Sequence, residues 1–203
     1  LYSQGNPNLK MEKSEFKIIR WENRIGEYIN YKIEYRDRES DNLILWAPDN
    51  NYFWKPQNLD KTYRRNLIIT ASIPENSYYW GISGTIQKTD TEDLGTGKPL
   101  EFIPNASGNI ILSYTLENIR LELQSNYTGE RFYQGYGSNF EINDRTIDPF
   151  INLNAGALFT LSLFKYSIQL HLMAENILNN NIAFFPDYPE PGLGIKTRIT
   201  IKL

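Results

Sequence analysis

The sequence has no cysteine and only one histidine, His171, among its 203 residues. The first absence excludes a disulfide scaffold and any thiolate metal site. The second excludes a multi-histidine zinc site and argues against a Ser-His triad. Positive charge is not in excess: 21 Lys and Arg stand against 24 Asp and Glu, for a net charge of −3 and a pI near 5.3. That balance argues against a nucleic-acid groove, which needs a basic face. There is no apolar run of about 18 residues, so no transmembrane helix is expected. A mean hydropathy of −0.50 still leaves one membrane architecture open. A spanning β-barrel turns only every second residue to lipid, and its average looks soluble. The chain starts at Leu1 and shows no signal peptide, as expected of a mature product or part of something longer.

What is present is a period of two. Ile195, Thr197, Ile199, Ile201 and Leu203 fall on one face, and Lys196, Arg198, Thr200 and Lys202 on the other. The same alternation runs through Ile29–Arg36, Asn66–Ile73, Tyr78–Gln87, Ala106–Tyr114, Ile119–Tyr127, Ile151–Leu163 and Tyr166–Glu175. Ile68 breaks it. The first candidate, Glu12–Trp21, is untidy because Ile18 and Ile19 point opposite ways. A helix over Asn152–Leu178 fits worse, since its apolar positions recur at two rather than 3.6. The expectation is an all-β antiparallel meander of about nine strands.

Connection lengths alternate. Short links at Glu22–Glu27, Pro74–Asn76, Thr115–Asn118 and Phe164–Lys165 are interleaved with long ones at Asp37–Lys61, Lys88–Asn105, Gly129–Phe150 and Asn176–Gly194. In a meander alternate links emerge at the same end, so one end carries tight turns and the other long loops. Short periplasmic turns and long extracellular loops are the layout of a transmembrane β-barrel. The polar face holds Lys32, Glu34, Arg36, Arg120, Glu122, His171, Lys196 and Arg198. In a barrel these line a wet lumen, or face a plug. Trp21, Tyr28, Tyr78, Trp80, Tyr114, Phe164 and Tyr166 gather beside the short turns, where an interfacial aromatic girdle is expected.

Three stretches now carry a resemblance. "GNPNLKMEKS", Gly5 to Ser14, is similar to a Gly-Asn-Pro-x-Leu-x-Pro-Glu segment, with Met11 in place of the proline. "IPNASGNIILSY" (Ile103–Tyr114) with "NYTGERFY" (Asn126–Tyr133) resembles a recurrent hairpin and its Tyr-x-Gly-x-Arg-Tyr exit. "AENILNNNIAFFPDYPEPG", Ala174 to Gly192, resembles an Asn-Leu-x-Asp loop followed by Pro-x-Pro-Gly, matched at Asn176-Ile177, Tyr188-Pro189 and Pro191-Gly192. Asn179 stands where Asp is common, and Leu203 ends the chain where an aromatic is usual. Together they resemble the C-terminal barrel region of TonB-dependent outer-membrane receptors.

The resemblance implies a barrel of about 22 strands with an N-terminal plug, so residues 1–203 are expected to be a C-terminal portion, with the plug and the N-terminal strands elsewhere. It implies energy-coupled uptake of a scarce ligand, such as an iron-siderophore, corrinoid, heme or oligosaccharide. The implied partners are outer-membrane lipid and lipopolysaccharide, the remainder of the receptor and the inner-membrane energy-coupling complex, with no nucleic acid. A passive porin-like channel, or a soluble all-β binding module, is the alternative.

No catalytic constellation is present, no enzyme activity is expected, and no cofactor or metal motif stands out. Glu141, Asp144 and Asp148 match no calcium loop and read as a solvated acidic loop. Gly95, Gly97 and Lys98 resemble a phosphate loop only until Pro99, which stands where Ser or Thr is needed. The long loops are the functional candidates. Trp46, Tyr52, Phe53, Trp54, Tyr133, Tyr136, Phe184, Phe185 and Tyr188 suit stacking on a flat or apolar ligand, or else pack on one another to hold the loops together.

Overall fold

The computed structural model of the chain describes residues 5–48, 54–74, 79–136 and 141–202. Nine strands form one antiparallel sheet: β1 (Lys13–Ile25), β2 (Ile29–Pro48), β3 (Trp54–Ile73), β4 (Trp80–Asp93), β5 (Ala106–Leu116), β6 (Ile119–Thr128), β9 (Phe150–Leu163), β10 (Tyr166–Glu175) and β13 (Gly194–Lys202). They neighbour one another in chain order, as expected of a meander. Four short strands complete the set as two hairpins inside the long connections. They are β7 (Arg131–Tyr136) with β8 (Ile142–Ile147), and β11 (Ala183–Phe185) with β12 (Tyr188–Pro189).

The register separates the two faces. Trp21, Ile33, Ile69, Ile86, Gly108, Tyr127 and Ile151 are successive cross-strand partners in one row. The row one residue away runs Arg20, Glu34, Ile68 and Gln87. Burial is inverted relative to a water-soluble protein. Among the described residues only Ile68, Leu100 and Ile182 are buried aliphatics, whereas Glu34, Asn66, Thr89 and Ser113 are buried. Ile86 is 58% exposed and Glu34 is 0% exposed. A curled sheet crowds the side chains on its concave side and splays those on its convex side. The polar face is therefore concave and the aliphatic face convex. Water does not favour a convex face of Ile and Leu; hydrocarbon does.

The tight end is built by short turns. Leu116 pairs Ile119 across Glu117-Asn118, and Leu163 pairs Tyr166 across Phe164-Lys165. Glu117 and Phe164 adopt positive φ, and Gly26 does so in the β1–β2 turn, the backbone that matches strand twist in tight hairpins. Trp21, Tyr28, Trp80, Tyr114, Phe164 and Tyr166 are all exposed near these turns. Tyr78 lies outside the described residues.

Two expectations change. The first strand runs Lys13–Ile25 rather than Glu12–Trp21. It is a sheet edge, exposed throughout, so Phe16 and Ile18 sit on the polar face without breaking any packing. Asp37–Lys61 is not a long loop: β2 and β3 pair in one register from Asn30↔Ser72 to Pro48↔Trp54, interrupted only at Asn42 and Asp60, where Asn42 adopts positive φ. The extension has charge on both faces, so it shows no apolar period. It is held instead by cross-strand pairs, Lys61 with Glu39 and Arg65 with Asp37 at 3.6 Å. At about 3.3 Å per residue, 20 residues reach about 66 Å, far beyond an apolar band about 25 Å tall. Ile68, the exception to alternation, is buried on the concave face between Glu34 and Gln87.

On the convex face the change from apolar to charged is abrupt. The Ile19–Tyr35–Leu67–Lys88 row, charged only at its β4 member, is followed by Lys17–Asp37–Arg65–Asp90 and then Glu15–Glu39–Tyr63–Glu92. That boundary is where the hydrocarbon of a bilayer around the sheet would end. Ile69→Arg, within the belt, is expected to destabilise the full-length protein in lipid vesicles by about 2–4 kcal/mol, and Thr70→Arg on the opposite face by much less. Urea unfolding of the two variants checks this, and equal losses would contradict the assignment of faces.

Candidate functional site

The concave face is a polar wall tied across strands. The Glu34 carboxylate accepts from Arg20 Nε at 2.5 Å and from Arg36 Nε. Asn66, Gln87 and Thr89 form a closed triangle at 2.9–3.1 Å, and Thr70 bonds Thr85 at 3.1 Å. A buried carboxylate persists only when fully paired, and two guanidiniums provide that. Lys32 lies one row from Glu34, partnered with Glu22 and Thr70. Arg120, Leu158, His171 and Arg198 form one row, and Arg120 reaches Glu122 at 3.4 Å. Lys196 pairs Glu175 at 2.7 Å. All eight wall residues named from the sequence thus lie on the concave face.

The open end is organised by three devices. In the β4–β5 connection, Asp93 accepts from Gly95 N at 3.0 Å and Thr96 Oγ1 at 2.9 Å, and Gly97 N donates to its carbonyl at 2.7 Å. The Gly95–Lys98 stretch is therefore a tight turn folded on one aspartate. Lys98 Nζ then reaches Asp144 in β8 at 2.7 Å, and this bond, with a lesser one from Gln134, holds the Asp144 carboxyl below its ordinary pKa.

Arg131 is the second device, 2% exposed at the start of β7. Its guanidinium donates to the carbonyls of Ala183 (2.9 Å), Phe184 (3.2 Å) and Asp148 (3.1 Å) and lies over the Phe150 ring. One side chain thus ties β7, the β8–β9 link and the last loop. Burial pushes its pKa down, but its two terminal nitrogens are matched to backbone oxygens, only Nε lacking a partner, and the group stays charged. Gly129 stands just before it because a Cβ there would lie 2.4 Å from Asn105 Oδ1 and 2.7 Å from Ala106 O.

The third device is Asn176, buried and at positive φ where β10 ends. Its backbone N–H donates to Asn154 Oδ1 at 2.9 Å. Its side chain donates to Asn180 O at 2.9 Å and accepts from Asn180 N at 3.0 Å. Asn179 Oδ1 accepts from Leu193 N at 3.1 Å and closes the loop. Ile182, 2% exposed, seals it beneath.

The loop aromatics divide. Tyr133 stacks on Phe102 at 5.9 Å, Phe185 packs on Phe102 at 5.2 Å, and Phe184 meets Phe150 edge-on at 5.2 Å. Tyr133 and Phe185 thus meet on the β4–β5 connection, and Phe184 meets the first residue of β9. Tyr188 is exposed on β12. Trp46 is 57% exposed and lines a cavity of about 380 Å3 with Leu59, Leu100, Phe102, Phe132 and Ile142. Gln57, Gln134, Lys98 and Glu101 add polar groups, and burial pushes the Glu101 carboxyl up in pKa. Tyr52 and Phe53 lie outside the described residues, and of Trp54 and Tyr136 only the backbone is described. Sequence reasoning did not single out Leu100, Glu101 and Phe102, which lie together in a connection without a period, or Phe132 in β7. It met Arg131 only as a motif position. Among the described residues no three His, Asp or Glu side chains come together to hold a metal.

A sheet with charge on its concave face and aliphatic side chains on its convex face is a section of transmembrane β-barrel wall. The chain belongs to the TonB-dependent receptor family of outer-membrane proteins: the family described as "TonB dependent receptor-like, beta-barrel" matches residues 1–177. Solved structures agree in fold. The siderophore receptor PirA from Acinetobacter baumannii is 15% identical with a TM-score of 0.76, over 97% of this chain and 32% of that one. A mutant of the ferric enterobactin receptor PfeA from Pseudomonas aeruginosa is 16% identical with a TM-score of 0.74, over 96% and 31%. The iron transporter FrpB from Neisseria meningitidis is 11% identical with a TM-score of 0.72, over 95% and 31%. The chain spans about a third of the length of each of these receptors. No curated protein matches its sequence.

Arg131→Met is expected to free the last loop and the β7–β8 hairpin together, by on the order of 5 kcal/mol for three charge-assisted bonds at about 1.5 kcal/mol or more each, without unfolding the wall. Arg131→Lys restores little, because one ammonium does not reach all three carbonyls. Hydrogen exchange checks this through a joint loss of protection in residues 131–147 and 177–193, and unchanged protection would contradict it.

Proposed function

We propose that residues 1–203 form the C-terminal part of an energy-coupled outer-membrane uptake receptor, supplying barrel wall, lumen surface and extracellular loops. The observation that carries this reading is the inverted polarity of the sheet in a chain of this family. The edges of the described sheet are β1 and β13. In hydrocarbon each unpaired backbone group costs several kcal/mol, so further strands and a plug from the remainder of the receptor complete the wall. The partners on this reading are lipid and lipopolysaccharide outside, the plug within, and the inner-membrane energy complex reached through the plug.

Among the ligand classes the family implies, a ferric chelate has the most support, since the similar structures include receptors for siderophore, for ferric enterobactin and for iron. The cavity at the open end suits it: about 380 Å3 with Trp46, Phe102 and Phe132 as apolar walls offers flat surfaces to aromatic or apolar parts of a ligand. No bond chemistry is assigned to any residue, so the reading is transport without catalysis.

The test is uptake of radiolabelled ferric chelates by cells carrying the full-length gene, with and without a protonophore. The expected result is uptake abolished by the protonophore and lowered about tenfold by Trp46→Ala, at the cost of one well-buried aromatic contact, about 1.4 kcal/mol. Uptake of small solutes that ignores the protonophore would instead mark a passive channel.

A further inference from the structure

Where β2 and β3 leave the apolar belt, three guanidiniums crowd the concave face. Arg38 and Arg64 are direct cross-strand partners, and Arg36 lies two residues from Arg38 on the same side. Like charges placed opposite one another weaken a ladder, so each needs relief. Arg36 has Glu34. Arg38 bonds Glu12 at 2.8 Å and Ser14 at 3.0 Å, and lies 5.0 Å from the centre of the Phe16 ring. Arg64 has nothing of the kind. Among the described residues its guanidinium makes no ion pair and no hydrogen bond, and its Nε is buried without a partner. Burial, and then the charges of Arg38 and Arg36, push its pKa down, the direction of a positive charge without relief.

Arg64 and Arg38 face a cavity of about 180 Å3 that also carries the Ser40 and Thr62 side chains and Glu101. Glu101 does not relieve Arg64: no ion pair joins them, and its carboxylate accepts instead from Gln134 N at 3.3 Å. The cavity, otherwise lined by Leu43, Leu45, Leu100 and Ile103, therefore holds an unpaired guanidinium with a buried, partnerless Nε beside a second cation and two hydroxyls. Unpaired buried donors are rare in native proteins and call for a missing partner. Water satisfies a donor but does not offset the one guanidinium charge left without a carboxylate, since Arg36 has Glu34 and Arg38 has Glu12.

We propose that Arg64 and Arg38 form an oxyanion station on the lumen wall that takes a carboxylate. A carboxylate matches the guanidinium fork through two parallel bonds and cancels the charge that the wall leaves over. Its source is either a free anion in the lumen or an acidic side chain from another part of the receptor. The station does not depend on which ligand is imported, and its test does not read transport.

The experiment is thermal unfolding of the purified full-length receptor in detergent, with citrate as probe and chloride at matched ionic strength as reference. Wild type is compared with Arg64→Gln, Arg64→Lys and Arg65→Gln. Arg65 is the control: same strand, opposite face, paired with Asp37. A free-anion site gives a saturable rise in wild-type Tm with citrate that Arg64→Gln loses and Arg65→Gln keeps. An internal carboxylate gives no citrate response but a fall in Tm for Arg64→Gln that Arg64→Lys largely restores. The proposal is overturned if Arg64→Gln leaves Tm unchanged or raises it while citrate shifts no variant. It is also overturned if citrate shifts all variants alike, or if, with no citrate response, Arg64→Lys lowers Tm as far as Arg64→Gln.

Discussion

In hydrocarbon there is no water to receive a backbone N–H or C=O, so every such group in the belt must pair within the sheet. That constraint organises the rest of the molecule. It requires unbroken ladders, and the registers from β1 to β13 run without a gap through the apolar belt. It confines irregular backbone to the two ends, where water is available. It also leaves side chains free to differ by face, because a strand satisfies its backbone sideways and points its residues up and down. Ile, Leu and Tyr on the convex side, with Glu34, Arg20 and Arg36 on the concave side, follow from that freedom.

The two ends then differ in kind. At the tight end the chain needs only to reverse, and short turns at Gly26, Glu117 and Phe164 do so. At the open end β2 and β3 continue past the belt, and there charge pairs replace apolar burial as the lateral glue. Surface ion pairs contribute little singly, so this extension is held chiefly by its backbone ladder. The connections that flank it are held by directional polar contacts to backbone: Asp93 on its own turn, Arg131 on three carbonyls, Asn176 on its loop. These contacts hold the aromatic clusters and the cavity beside Trp46 in place.

Legibility in the sequence follows the same physics. β9, β10 and β13 were readable because lipid on one side and water on the other impose strict alternation. β1 was blurred because an edge strand, exposed throughout, has no burial to enforce a pattern. The continuation of β2 and β3 through Asp37–Lys61 was read as loop because both of its faces are wet and the period vanishes. Long connections hid two hairpins, since β7–β8 and β11–β12 are short and pair through few residues. Arg131 gave no local signal of its role: its partners Asp148, Ala183 and Phe184 are remote in sequence, and backbone carbonyls carry no residue identity. The loop aromatics were legible as a group, but not which of them, Tyr133, Phe184 and Phe185, meet other rings.

The central claim is that one face of this sheet meets lipid and the other meets a wet lumen, with the change at the Asp37–Arg65 row. The absence of cysteine in residues 1–203 makes single-cysteine scanning of β3 from Asp60 to Ile73, in the full-length receptor with any cysteine elsewhere replaced, the most direct measurement, read with a membrane-impermeant maleimide and a lipid-soluble quencher. The account predicts lipid quenching at Leu67, Ile69, Ala71 and Ile73 but not at Ile68, Thr70 and Ser72, and aqueous reactivity at the exposed positions Asp60, Lys61 and Arg65. Aqueous labelling of both faces throughout, or quenching with the opposite phase, would contradict it.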